Sequence, residues 1–164
     1  MRKKVIFVAG SAKNISKKVY EMAEEVGREI ARNNCILICG GLSGVMEAVS
    51  KGCREEGGLS IGVIPSAEKS DANHFVDVVI ATGIGFGRNF ILAQSADAMI
   101  VVAGQIGTLI ESSAGYYWKK PIIALKGSGG TAERIAGTYL DENKRIKILS
   151  AKTPKEAVKL ALKK

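Results

Sequence analysis

The chain has 164 residues, 46% of them hydrophobic and 24% charged, with three prolines; that balance describes one globular domain, residues 1–164, with enough length to bury a core. The formal net charge of +8 raises nucleic-acid binding, but the lysines are dispersed (Lys17, Lys18, Lys51, Lys119, Lys120) or thicken towards the C-terminus (Lys152, Lys155, Lys159, Lys163). Without an aromatic-interleaved basic stripe they read as a solvated surface, and no nucleic-acid partner is expected.

In chain order, Arg2-Lys3-Lys4 leads into an apolar run over 5–9 that reads as the first strand. It breaks at Gly10-Ser11 with no cleavage signature, so it does not read as a signal peptide. No run approaches the roughly 18 apolar residues a membrane span needs. A helix is predicted over 16–33, with Val19, Met22, Ala23, Val26 and Ile30 on one face. A second strand follows over 35–39 and a second helix over 44–56. The third strand, 60–64, is closed by Pro65, and the polar stretch 66–74 has no period and reads as a loop containing the lone His74. A strand over 76–81 and a helix over 87–95 come next. The run 98–103 is a strand, 108–118 a helix, 122–125 a strand, 131–140 a helix, 146–149 a short strand, and 154–163 a closing helix with Pro154 in its first turn.

Apolar runs alternating with amphipathic segments predict an α/β fold: a Rossmann-like, doubly wound, mainly parallel sheet of about seven strands flanked by helices. Cys35, Cys39 and Cys53 are odd in number and contain no C-x-x-C. They read as core thiols in a reducing, cytoplasmic setting, with no disulfide framework and no metal site.

Three strand-to-helix junctions would meet at the carboxyl edge of such a sheet, where ligands of open α/β folds bind. They are Gly10-Ser11-Ala12-Lys13, Gly40-Gly41-Leu42-Ser43-Gly44-Val45-Met46 and Gly104-Gln105-Ile106-Gly107-Thr108. Glycine lets backbone amides approach a phosphate, and the helix that follows adds a favourable dipole. The first turn is not G-x-G-x-x-G, and neither G-K-[ST] nor H-E-x-x-H is present. A dinucleotide dehydrogenase, a triphosphate loop and a zinc protease are therefore excluded. Thr108-Leu109-Ile110-Glu111 has the spacing of a capping box, which would explain Glu111 locally while pointing its carboxylate towards the strand ends. Arg88, in Gly85-Phe86-Gly87-Arg88-Asn89, opens a helix against the helix dipole, which an anionic partner would offset. Tyr116-Tyr117-Trp118, at the end of the helix that Glu111 begins, reads either as helix-end packing or as a subunit interface.

Gly40-Gly41-x-x-Gly44-x-Met46, then Arg88, then Gly104-x-x-Gly107-Thr108-x-x-Glu111 together resemble the LONELY GUY (LOG) family, often labelled lysine decarboxylase-like. The resemblance spans most of the chain. It implies a Rossmann-like fold, a homo-oligomer (dimer or tetramer), and hydrolysis of the N-glycosidic bond of nucleoside 5'-monophosphates. It also implies Arg88 and Glu111 as catalytic residues and Gly104, Gln105, Ile106, Gly107 and Thr108 as the phosphate loop. Gly10, Ser11, Gly40, Gly41, Gly44, Met46 and Asn89 complete the expected nucleotide site. Phe86 and Asn89 stand where the family has His and Lys, and Ala103-Gly104-Gln105 where it has Pro-Gly-Gly. The Gly-Arg-Asn variant is similar to a sister branch that includes molybdenum-cofactor carrier proteins, which implies the alternative of a non-catalytic binder. The expected partner is a small phosphorylated ligand (a nucleotide, phosphate or a molybdopterin-type molecule), with no cofactor required.

Overall fold

The computed structural model describes residues 2–163. Its strands are β1 (Val5–Gly10), β2 (Ile36–Cys39), β3 (Leu59–Ile64), β4 (Val78–Ala81), β5 (Ala98–Val102), β6 (Ile122–Leu125) and β7 (Leu149–Ala151). They form one sheet in the order β4-β3-β2-β1-β5-β6-β7, and every pairing is parallel. The helices are α1 (Lys17–Arg32), α2 (Val45–Glu55), α3 (Arg88–Ser95), α4 (Ile106–Tyr117), α5 (Gly130–Ile135) and α6 (Pro154–Leu162). This is the Rossmann-like α/β architecture expected from the alternating pattern.

Strand alternation divides the core between the two faces. Ile6 and Val8 of β1, with Ala98, Ile100 and Val102 of β5, pack with apolar residues of α1, α2 and α6. Phe7 and Ala9, with Met99 and Val101, pack on the other face against Leu92, Ala93 and Ala114. The strand order reverses between β1 and β5, whose register pairs Gly10 with Val102. The chain thus leaves both strands side by side at one edge, which creates the crevice typical of a topological switch point.

Several boundaries differ from the sequence expectation. The polar stretch after β3 contains a single 3-10 turn, Lys69–Asp71, and Asn73 docks it by donating from its backbone to Gly41 O and from Nδ2 to Leu42 O, both at 2.8 Å. Helix α5 stops at Ile135 rather than near residue 140. The segment that follows is held by Tyr116, whose hydroxyl donates to Asp141 Oδ1 at 2.9 Å and accepts from Arg145 N at 3.1 Å. The last strand then begins at Leu149 rather than at residue 146.

Helix α4 shows the most consequential difference. It begins at Ile106 with Gln105 as its N-cap and no side-chain capping bond, so Thr108 is its third residue and the expected Thr108–Glu111 capping box does not form. The reason lies in the turn after β5. Ala103 and Gly104 both take positive φ, 51° and 99°, and reverse the chain at once, starting the helix earlier than the apolar pattern indicates.

Candidate functional site

A cavity of about 340 Å³ opens at the carboxyl ends of β1, β2, β3 and β5, within the size range of small-molecule sites. Gly10 and Ser11 contribute from the turn after β1, Leu42 and Met46 from the turn into α2, Pro65 from the end of β3, and Phe86, Arg88 and Asn89 from the start of α3. Gln105, Gly107, Thr108 and Glu111 of α4 close it. Of these wall residues, only Arg88 and Glu111 carry a formal charge.

Arg88 is the first residue of α3 and is only 7% exposed. Its guanidinium leaves the helix axis and donates from Nη1 to Val63 O at 2.8 Å. Gly40 makes room for it, because a Cβ there would collide with Arg88 Nη1 and Met46 Sδ. Burial pulls the guanidinium below its ordinary pKa while the Glu111 charge acts in the opposite direction; arginine nonetheless stays protonated. Asn89, next along, is buried, and its Oδ1 has no hydrogen-bond partner.

Glu111 is 8% exposed. Burial pushes its carboxyl up to about 7, against the pull of Arg88, which acts through space rather than through a hydrogen bond. A carboxyl brought close to neutral pH can hold or release a proton under working conditions, as acid–base catalysts in clefts do. One turn before it, the backbone N–H groups at the start of α4 lack intrahelical acceptors and carry the positive end of the helix dipole.

The residues singled out from sequence fall into two groups. Gly10, Ser11, Met46, Arg88, Asn89, Gln105, Gly107, Thr108 and Glu111 meet at the cavity wall. Gly40, Gly41, Gly44, Gly104 and Ile106 do not line it. Gly40 lies behind Arg88, and Gly41 O receives Asn73 N–H. Gly44 caps α2 with φ 68°. Gly104 N–H is already bound to Ser11 Oγ at 3.1 Å, and the side chain of Ile106 is 69% exposed at the helix start. Ala12, Leu42, Pro65 and Phe86 line the cavity without having been named as site residues; Ala12 and Leu42 belong to the glycine-rich junctions, Phe86 precedes Arg88 by two, and Pro65 closes β3. Cys39 is fully buried, bonds to Ser50 Oγ and Met46 O, and does not line the cavity. His74 lies in a separate open hollow with Glu47 and Asp71.

The sequence model of the SLOG cluster4 family matches residues 3–158. The chain belongs to the SLOG cluster4 family. This SLOG cluster4 protein is 37% identical over 97 residues to the cytokinin riboside 5'-monophosphate phosphoribohydrolase of Mycobacterium tuberculosis, a match covering 57% of this chain and 52% of the mycobacterial one. The chain thus spans about half the length of that hydrolase. Among solved structures, the molybdenum cofactor binding protein of Rippkaea orientalis superimposes with a TM-score of 0.87 at 29% identity, over 98% of this chain and 96% of that one. The molybdenum cofactor carrier protein of Chlamydomonas reinhardtii gives 0.82 at 32% identity, over 96% and 95%. At the turn into α4, Ala103 takes φ 51°, a conformation that proline could not adopt.

No helix among the described residues is long and apolar enough to cross a membrane, and no group of three or more His, Cys, Asp or Glu among them is placed to hold a metal.

Proposed function

We propose that this protein is a nucleoside 5'-monophosphate phosphoribohydrolase that cleaves the N-glycosidic bond. The observation that carries this reading is Glu111: a carboxylate facing the cavity beside a helix N-terminus, with its pKa raised to about 7. A site that only held a phosphate would gain nothing from a second negative charge, whereas a hydrolase needs a group of this kind. The phosphate sits against the free amides at the start of α4. Glu111 in its protonated form gives its proton to the departing base as the C1'–N bond breaks and the bonding pair leaves with the base nitrogen. The resulting carboxylate stabilises the cationic ribosyl centre and takes the proton of the water that attacks C1'. The Arg88 charge favours the carboxylate form that the ribosyl cation needs, against the larger effect of burial, and arginine cannot itself be the acid.

Release of free base from a panel of nucleoside 5'-monophosphates tests the reading. Wild type releases base and folded Glu111→Gln does not; a Gln variant of full activity overturns it. A second reading is favoured by the near-complete two-way coverage of the molybdenum-cofactor proteins: the same cavity holds a phosphorylated pterin without turnover. No base release from any nucleotide, with retention of a pterin ligand, selects it. Under either reading the ligand is a small phosphorylated molecule and the buried free thiols Cys35, Cys39 and Cys53 suit a reducing cytoplasm. The protein is further proposed to act as a homodimer through the exposed apolar face of α3 and α4.

A further inference from the structure

The turn that starts α4 is held from a loop that does not line the cavity. Ala103 N–H donates to Ser128 Oγ at 2.8 Å, while Ala103 O accepts from Ala132 N–H at 2.9 Å. Gly104 N–H donates to Ser11 Oγ at 3.1 Å, and Gly104 O accepts from Thr131 N–H at 2.8 Å. Gln105 O receives the Thr131 hydroxyl at 2.9 Å in addition to the helical N–H of Leu109 at 3.1 Å. Each of these backbone groups therefore has a partner, and the N–H groups that follow, of Ile106, Gly107 and Thr108, are the unpaired donors of the helix's first turn.

The bracing hydroxyls are themselves fixed. Ser128 Oγ donates to Leu125 O at 2.6 Å, which leaves its lone pair for Ala103 N–H. Thr131 Oγ1 accepts from Arg134 Nη2 at 3.3 Å, which directs its own proton to Gln105 O. Both residues are buried, Thr131 completely. The conformation they hold is one an alanine resists: Ala103 at φ 51° costs energy that the surrounding bonds must offset, a feature that concentrates at functional sites.

We infer that Ser128, on the loop between β6 and α5, and Thr131, in the first turn of α5, are positioning residues that set the direction of the α4 amides and so determine how well the cavity holds a phosphate. The inference rests on the phosphate reading above and adds to it the residues that tune the affinity. Three turns then act as one unit: the turn after β1 through Ser11, the turn after β5, and the turn after β6.

Calorimetric titration with inorganic phosphate and with adenosine 5'-monophosphate, alongside the thermal midpoint of each variant, tests this. Thr131→Val keeps shape and burial but removes the hydroxyl; Thr131→Ser keeps the hydroxyl. The expected result is a loss of affinity of about fivefold to tenfold in Thr131→Val, the scale of one lost hydrogen bond, with recovery in Thr131→Ser. A merely structural role would lower the thermal midpoint while leaving the affinity of the folded protein unchanged. Should Thr131→Val fail to fold by circular dichroism, Ser128→Ala carries the same comparison. Affinities in both variants within about twofold of wild type overturn the inference while leaving the phosphate reading standing. Wild type that binds neither probe overturns both.

Discussion

Glu111 is the residue whose titration the fold alters most usefully. Its pKa rises from an ordinary 4.5 to about 7 because burial penalises the charged form. The linkage to stability follows from proton counts. Between about 4.5 and 7 the folded state keeps the proton and the unfolded state has released it, so stability falls as pH rises through this window. Above it, the buried charge costs on the order of 3 kcal/mol relative to the neutral acid. Glu111→Gln removes that cost, so its thermal midpoint exceeds that of wild type at pH 8, and the gap closes by about pH 4.5 in a calorimetric pH series. Base release by wild type falls as pH rises past about 7, where Glu111 no longer carries the proton for the leaving base. Gly40 gives a second residue-scale prediction. Gly40→Ala drives a methyl into Arg88 Nη1 and Met46 Sδ, so it displaces the guanidinium, destabilises by about 1–3 kcal/mol and weakens ligand binding. Chemical denaturation and calorimetric titration check the two parts. Arg88 was legible in the sequence because a cation opening a helix opposes its dipole, and Glu111 because a carboxylate follows the third glycine-rich junction, although it lies in the second turn of α4 and not in a capping box. The service of Gly40 to Arg88 was not legible, since they lie 48 positions apart and only the fold sets the turn after β2 against the Arg88 guanidinium.

At the scale of elements, β1, β2, β5 and β6 were legible because each is a short apolar run with buried side chains on both faces, whereas β7, Leu-Ser-Ala, is no such run and lies three residues later than expected. The start of α4 was not legible. Its turn depends on an alanine with φ 51°, and nothing in the letter A signals that conformation; it is set by Ser128 and Ala132, far along the chain. The end of α5 was missed for a related reason, since the segment after Ile135 is held by the Tyr116 hydroxyl and not by its own periodicity. Gly107 separates the needs of the helix from those of the site. It lies in the first turn of α4, and a Cβ there would meet only Phe86 ring atoms, at 3.7 and 3.9 Å. Packing therefore does not require glycine. Gly107→Ala raises stability by about 0.5–1 kcal/mol through helix propensity, yet its methyl enters the cavity wall and lowers phosphate affinity. Denaturant unfolding and phosphate titration on the one variant give opposite signs.

For the whole molecule, the position of the cavity follows from strand order. Crossovers that wind outward in both directions from β1 and β5 leave one gap in the helix layer at the carboxyl edge, and the two charges of the cavity wall, Arg88 and Glu111, lie there. That much was legible from the alternation of strands and helices. What the sequence left open was which face outside the gap stays bare. Phe90, Ile110, Ala114, Tyr117 and Trp118 surround an apolar hollow between α3 and α4, with Phe90 50% and Tyr117 64% exposed. The surrounding chain carries +8, so two copies repel at long range, but this hollow contributes no charge to the repulsion. A second copy covering it removes aromatic area from water, the kind of surface that anchors interfaces. The face shares its helices with the site: Arg88, Asn89 and Glu111 line the cavity, and Phe90 and Ile110, next to them on α3 and α4, line the hollow. Sedimentation therefore gives a dimer for wild type, strengthened by salt that screens the like charges, and a monomer for Phe90→Glu. Because Phe90 is half exposed in a single chain, the variant keeps its circular dichroism spectrum. Its ligand affinity nonetheless falls, because α3 and α4 carry both the face and the cavity wall. A Phe90→Glu variant that sediments as a dimer removes this face as the interface.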